Sequence, residues 1–148
     1  MKKSSYELPE AIDAKESEYL YLDKSSIRGA GKGLFTSIPI YKNEIISLFK
    51  GKILSNEEAA RRAKKNLDGY FVSMLDGTIM DSKDVNCFAK YANDAEGLET
   101  RNAKNNSHIT VDEEGNVCLV AIRNIRANEE IFCSYGKRYW KNFSKDDH

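Results

Sequence analysis

Four short stretches of this sequence hold residue types that can do chemistry. The first is Gly29-Ala30-Gly31-Lys32-Gly33-Leu34-Phe35. Glycines at alternate positions let a backbone approach a ligand closely, because no Cβ intervenes. The G-x-G-x-x-G spacing of a dinucleotide site is absent and no helix is predicted to open behind the run, so by itself it reads as a tight loop. The second, Phe49-Lys50-Gly51, puts an aromatic ring at the end of an apolar run, where it reads as core. The third is Ala89-Lys90-Tyr91-Ala92-Asn93-Asp94-Ala95, with Asn105-Asn106 further on; Asn and Asp serve turns by bonding to nearby backbone. The fourth is Asn128-Glu129-Glu130-Ile131-Phe132-Cys133-Ser134-Tyr135-Gly136, followed by Tyr139-Trp140. It carries a thiol and a phenol two residues apart. Aromatic residues near a C-terminus commonly pack, so each stretch taken singly has a structural explanation.

The elements that position these residues are mostly strands. Tyr19-Leu20-Tyr21-Leu22 is a short β-like run, Ser25 to Gly33 is a glycine-containing loop, and Ile45-Ile46-Ser47-Leu48-Phe49 reads as a buried strand broken at Gly51. Ser55-Asn56-Glu57-Glu58 matches a capping box ahead of Ala59 to Lys65, with the basic residues falling late, where they complement the helix dipole. This helix ends between Asn66 and Gly69. Tyr70 to Asp81 reads as a hairpin turning at Asp76-Gly77, and Asp84 to Tyr91 as a short helix. Asp94 to Asn106 is a long polar loop. The runs His108 to Val111 and Val117 to Ile122 form a second hairpin, whose second strand is apolar on both faces and so interior. Ile131 to Tyr135 is a final short strand. The predicted class is therefore mostly β with one or two short helices.

Composition sets the limits. At 148 residues the chain suits one domain, with 41% hydrophobic residues for a core and 31% charged residues for a solvated surface. Its 23 basic and 23 acidic residues cancel to a formal net charge of +0. That leaves no basic stripe for direct nucleic-acid binding. No apolar run reaches the roughly 18 residues of a membrane span, and Met1 to Glu7 lacks the apolar stretch of a secretory signal. An intracellular, soluble protein is expected, cytoplasmic if bacterial. Cys87, Cys118 and Cys133 lie far apart without a C-x-x-C pair, which fits neither a disulfide framework nor zinc; they read as buried or free thiols, and no metal is expected. Residues 1–18 read as a tail or docking arm, 19–142 as the domain, and 143–148 as a polar tail.

The order and spacing of the four stretches resemble the SET domain of protein-lysine methyltransferases across Tyr19 to Trp140. The matching elements are Gly31-Lys32-Gly33 with Leu34-Phe35, the aromatic-x-Gly of Phe49-Lys50-Gly51, the Lys90-Tyr91-Ala92-Asn93-Asp94-Ala95 segment closed by Asn105-Asn106, and Asn128-Glu129-Glu130-Ile131 leading to Tyr135. The departures are Asp94 in place of the family's usual His, Asn105 in place of Pro, and Phe49 at a position more often Tyr. Zinc-binding flanks are absent, as in short bacterial or viral members. The resemblance implies a β-clip fold with knot-like C-terminal threading, S-adenosylmethionine as cofactor, and methyl transfer to a lysine of a protein or peptide. It implies cofactor contacts from Ala30, Gly31, Lys32, Tyr70, Asn93, Asp94 and Trp140, a substrate channel at Phe49, Cys133 and Tyr135, and Tyr135 as the catalytic residue. The lysine amine, with an ordinary pKa of ~10.4, is made neutral by apolar burial and a neighbouring sulfonium. Neither His108 nor His148 is then needed as a base. The Asp94 and Phe49 departures equally fit a SET-like module that binds a peptide without transferring methyl.

Overall fold

The computed structural model describes residues 8–74, 76–95 and 104–133. Three small antiparallel sheets, each of three strands, carry the fold. In the first, β1 (Leu20–Lys24) pairs with β2 (Lys32–Thr36), and β2 with the two-residue β9 (Glu130–Ile131). In the second, β3 (Ile45–Leu48) and β7 (Ser107–Val111) flank the central β8 (Val117–Ala121). In the third, β6 (Ile79–Asp81) lies between β4 (Lys52–Leu54) and β5 (Phe71–Ser73). All five β8 residues are buried, as their unbroken apolar run requires of a central strand. One main core gathers Leu34, Ile46, Leu119 and Ile131 from the first two sheets with Ile40 and Ile125, which bridge each other outside them. A smaller cluster of Leu54, Ala59, Phe71 and Ile79 sits under the third.

The helix α2 (Asn56–Lys64) starts as its sequence dictates: Ser55 Oγ accepts from the Glu58 N–H at 3.1 Å. The reciprocal half of the capping box is not used. The Glu58 carboxylate turns to Arg62, 2.9 Å away, whose guanidinium also holds the buried Asp81 at 2.7 Å. Asn66 stops the helix in the left-handed region (φ 61°), while its N–H and that of Leu67 donate back to Ala63 and Arg62 carbonyls. That pairing is the Schellman arrangement.

The Asp84–Tyr91 stretch is not the helix its composition suggested. Only a single 3-10 turn forms, Ala89–Tyr91. The Lys90 ammonium explains the difference, because it donates to the Ser82, Lys83 and Val85 carbonyls at 2.9–3.0 Å. A lysine that folds back on the preceding backbone gathers residues 82–85 into a loop and leaves their carbonyls no role in a helix.

Residues 8–18 lie against the body of the fold. Glu10 bridges Glu44 in parallel, and a short helix α1 (Glu16–Tyr19) leads into β1. The Glu16 carboxylate accepts from Ser47 Oγ (2.6 Å) and the Leu48 N–H (2.9 Å). Tyr19 donates its hydroxyl to the Ile46 carbonyl at 2.8 Å, and burial pushes its pKa up. Residues 143–148 lie outside the described residues. No helix among the described residues is long and apolar enough to cross a membrane.

Candidate active site

The loop joining β1 to β2 is shaped by two kinds of glycine. Gly29 and Gly31 have φ of 81° and 73°, a left-handed backbone that L side chains rarely adopt, and open space where a Cβ would stand. Gly33 is different. A Cβ there would overlap the Glu130 carboxylate and press on Ser25. Alternate glycines therefore do two jobs: one turns the loop and leaves its face open, the other admits a side chain from β9.

Asn93 ties the separate stretches together. Its Nδ2 donates to the Lys32 carbonyl at 3.1 Å, and its own carbonyl accepts from the Cys133 N–H at 2.8 Å. Asn93 also bridges Phe132 in parallel, as Ser107 does Cys133. Residues 132–133 consequently run between the Asn93 and Ser107 segments. Asn106, fully buried, fastens this crossing: its Oδ1 accepts from the Phe132 N–H and its Nδ2 donates to the Glu130 carbonyl, both at 2.9 Å.

Apolar packing repeats the same connections. Ala30 packs against Ile27, Ala95 and Phe132, which unites the first, third and fourth stretches. Phe49 (6% exposed) and Cys133 (0%) share the main core cluster with Ala89 and Ala92. The backbone of Phe49 is held by the Val117 carbonyl. Gly51 allows the strand end to pass close to Asp81, since a Cβ would meet the Asp81 carbonyl oxygen at 2.5 Å. A cleft of about 670 Å³ opens alongside, walled by Lys15, Leu22, Leu48, Lys50, Phe88 and Tyr91.

Asp94 and Asn105, the two departures in the third stretch, are partners. Asn105 Nδ2 donates to Asp94 Oδ1 at 3.2 Å, and its Oδ1 accepts from the Ala95 N–H at 2.9 Å. Tyr70 directly precedes β5, with the Lys90 ammonium 5.3 Å from its ring centre. Tyr135 and Trp140 lie outside the described residues. Lys32 reaches Asn93 only through its backbone carbonyl, so its side-chain type had no part in the match. Glu130, Asn106 and Ser25 were not singled out from sequence for a role. Glu130 is buried beside Ile131 in β9, where an unpaired carboxylate could not stay, but its partners lie far away in the sequence, so no local signal marks it. Cys118, a β8 thiol, is pushed up to about 12 by burial and then by Asp112. No group of three or more His, Cys, Asp or Glu is placed to hold a metal among the described residues.

The family model described as the SET domain matches residues 31–136, spanning all four stretches. This chain belongs to the SET-domain family. The chain is also similar to the histone-lysine N-methyltransferase EZH2 of Chaetomium thermophilum, 25% identical over 139 residues, which are 87% of this chain and 9% of that relative. The SET chain thus spans about a tenth of the relative's length. Among solved structures, a humanized mutant of the Chaetomium thermophilum Polycomb Repressive Complex 2 bound to the inhibitor GSK126 superposes with a TM-score of 0.66 at 25% identity, covering 81% of this chain and 15% of that one. The apo complex carrying E840A and K852D mutations in Ezh2 gives 0.68 at 26%, covering 86% and 16%. The complex in an autoinhibited conformation bound to S-adenosylmethionine gives 0.68 at 24%, covering 87% and 17%, a likeness of fold. The mostly β architecture with short helices is that of a SET domain.

Proposed function

We propose that this SET protein is an S-adenosylmethionine-dependent methyltransferase acting on the side-chain amine of lysine in a protein or peptide. The observation that carries the reading is Asn93, whose side chain and backbone join the Lys32 carbonyl to the Cys133 N–H. It gathers the open glycine loop, the Asn93 segment and the strand leading to Tyr135 at one place. The loop's residues fit the group: Gly31 has open space where a Cβ would stand, and Ala30 packs against the cluster that includes Phe132. Ala30, Gly31 and Lys32 would hold the cofactor through backbone, with Asn93, Asp94, Tyr70 and Trp140 around it. When bound, the cofactor supplies an electrophilic methyl on a sulfonium sulfur.

The protein's own work is alignment and desolvation. Holding a nucleophile in a near-attack arrangement is worth about 7–11 kcal/mol. Phe49 and Cys133 offer an apolar wall in which an ammonium is disfavoured, so the amine loses its proton without a dedicated base. The Tyr135 hydroxyl orients the amine, a positioning and electrostatic task. The reading includes knot-like threading of the C-terminal stretch, supported by the bridges that Asn93 and Ser107 make to residues 132–133. Substrate walls are assigned to the helical stretch from Glu57 to Lys65, which α2 covers up to Lys64, and to the loop from Glu96 to Lys104, of which residues 96–103 lie outside the described residues. The relative's histone substrate belongs to a much longer protein, so the carrier of the lysine is kept at protein or peptide.

A silent peptide-binding module is favoured by one feature, the missing phenol hydroxyl at Phe49. Against it stands the Asp94–Asn105 pair, which shows both departures of the third segment meeting in one hydrogen bond. Calorimetric titration with S-adenosylmethionine separates the readings, because the module predicts no uptake. Incubation with labelled cofactor and a host lysate then identifies the methylated protein. Tyr135→Phe should keep cofactor binding and lose most turnover; near wild-type turnover would remove Tyr135 from the assignment.

A further inference from the structure

We propose that Glu130 is the positioning residue of the cofactor loop, holding Ser25 to Lys32 in the shape that receives S-adenosylmethionine; this rests on the methyltransferase reading. Register places it there. In the β2–β9 pair Glu130 lies opposite Phe35, so its side chain emerges on the face shared by Phe35 and Gly33. The diagonal neighbour, Gly33, has no side chain, and the carboxylate extends through that gap towards the loop. There it meets a matched set of donors. Ser25 Oγ donates to Oε2 at 2.6 Å, and the Ser26 N–H and Oγ both donate to Oε1 at 2.8 Å. Ser25 Oγ also accepts from the Ile27 N–H at 3.1 Å, which carries the constraint into the loop itself.

The loop then closes on itself, with the Ser25 N–H donating to the Gly31 carbonyl at 2.8 Å and the Ala30 N–H to the Ile27 carbonyl at 3.1 Å. One carboxylate, on a residue 6% exposed, thus accounts for three others at once: Ser25, Ser26 and Gly33. Glu130 precedes Tyr135 by five residues on the same stretch. Through it, the strand leading to the tyrosine and the loop receiving the cofactor are held in one frame. The geometry assigns Glu130 no contact with the reacting atoms; its effect passes through the loop.

The test uses the full chain with Glu130→Gln and Ser26→Ala. Gln keeps the shape and the acceptor for Ser26 but gives up the charge and one acceptor for Ser25. Ala at the exposed Ser26 removes a single hydroxyl without touching the core. S-adenosylmethionine affinity by calorimetry, KM for the cofactor against kcat, and hydrogen exchange of residues 26–32 are measured on each. Expected are a roughly tenfold weaker cofactor affinity for Glu130→Gln, the equivalent of one charge-assisted hydrogen bond, and a smaller loss for Ser26→Ala. KM should rise with kcat retained at saturation, and exchange should quicken in residues 26–32 while Ile46 and Leu119 keep their protection. Glu130→Asp, which retains charge with shorter reach, should recover part of the affinity. Wild-type affinity and unchanged loop exchange in both variants overturn the positioning role while leaving the methyltransferase reading intact. If the wild type itself takes up no S-adenosylmethionine, the methyltransferase reading fails, and with it this assignment. If Glu130→Gln does not fold, Ser26→Ala alone decides: unchanged affinity overturns the proposal.

Discussion

Replacing Asn106 by Ala should destabilise the protein by roughly 3 kcal/mol, and the number can be built from its contacts. The side chain is fully buried, and both of its polar atoms are committed to the stretch before Tyr135: Oδ1 takes the Phe132 N–H and Nδ2 serves the Glu130 carbonyl. Alanine withdraws both. Each buried group robbed of a partner costs about 1–3 kcal/mol, giving roughly 2–6 kcal/mol in total. A water entering the vacated polar space recovers part of that, since the site has the partners a water needs. A loss of ~3 kcal/mol lowers the melting temperature by roughly 6–12 °C in a domain of this size. Urea denaturation followed by tryptophan-independent circular dichroism measures it directly, with an unchanged m-value showing that the folded state keeps its compactness. Asn106→Asp serves as the control. It retains the acceptor for Phe132 but sets an oxygen against the Glu130 carbonyl, and should be at least as harmful. A loss below ~1 kcal/mol for the alanine variant would refute the view that Asn106 fastens the crossing.

Two further outcomes follow from buried cysteines. In the proposed assignment Cys133 stands two residues before Tyr135, and a side chain this small beside the amine should let the product progress to di- or trimethyl-lysine; monomethyl product alone after long incubation, by mass spectrometry, contradicts this. Cys118 ionises in the folded state only near pH 12, against 9.0 for a free thiol, because burial and then Asp112 oppose the thiolate. A folded pKa raised in this way favours the native state below pH 9 and withdraws that advantage as pH rises towards 12. Cys118→Ala should therefore lose less thermal stability than wild type between pH 8 and 11, and native Cys118 should resist alkylation at pH 8. Equal pH dependence of the two proteins would exclude the effect.

What was legible in the sequence follows from where local chemistry decides structure. Ser55, Asn66, Asp76-Gly77 and the alternations on either side act within a few residues, and α2 and both hairpins stand where they were expected. The Asp84–Tyr91 stretch failed because Lys90 uses its three donors on backbone 5–8 residues earlier, a choice no propensity encodes. The site was legible by order and spacing, hence by likeness to a family, and not from any single residue. Glu130 and Asn106 were missed as functional supports because their partners lie 24–105 positions away, and a side chain's long-range partner leaves no local trace.

The departures from the family pattern gain their meaning from contact. Had Asp94 and Asn105 been independent losses, each would have left a gap in the cofactor's surroundings and strengthened the case for a silent module. They instead hydrogen-bond to each other, and Asn105 also serves the Ala95 N–H, so the segment after Asn93 is closed by a polar pair where relatives use a ring and a proline. Asn93 itself is kept, and its amide is spent on the Lys32 carbonyl. That contact at Lys32 and the Glu130 clasp on Ser25 and Ser26 hold the two ends of the same loop, and the proposed transfer site rests on both.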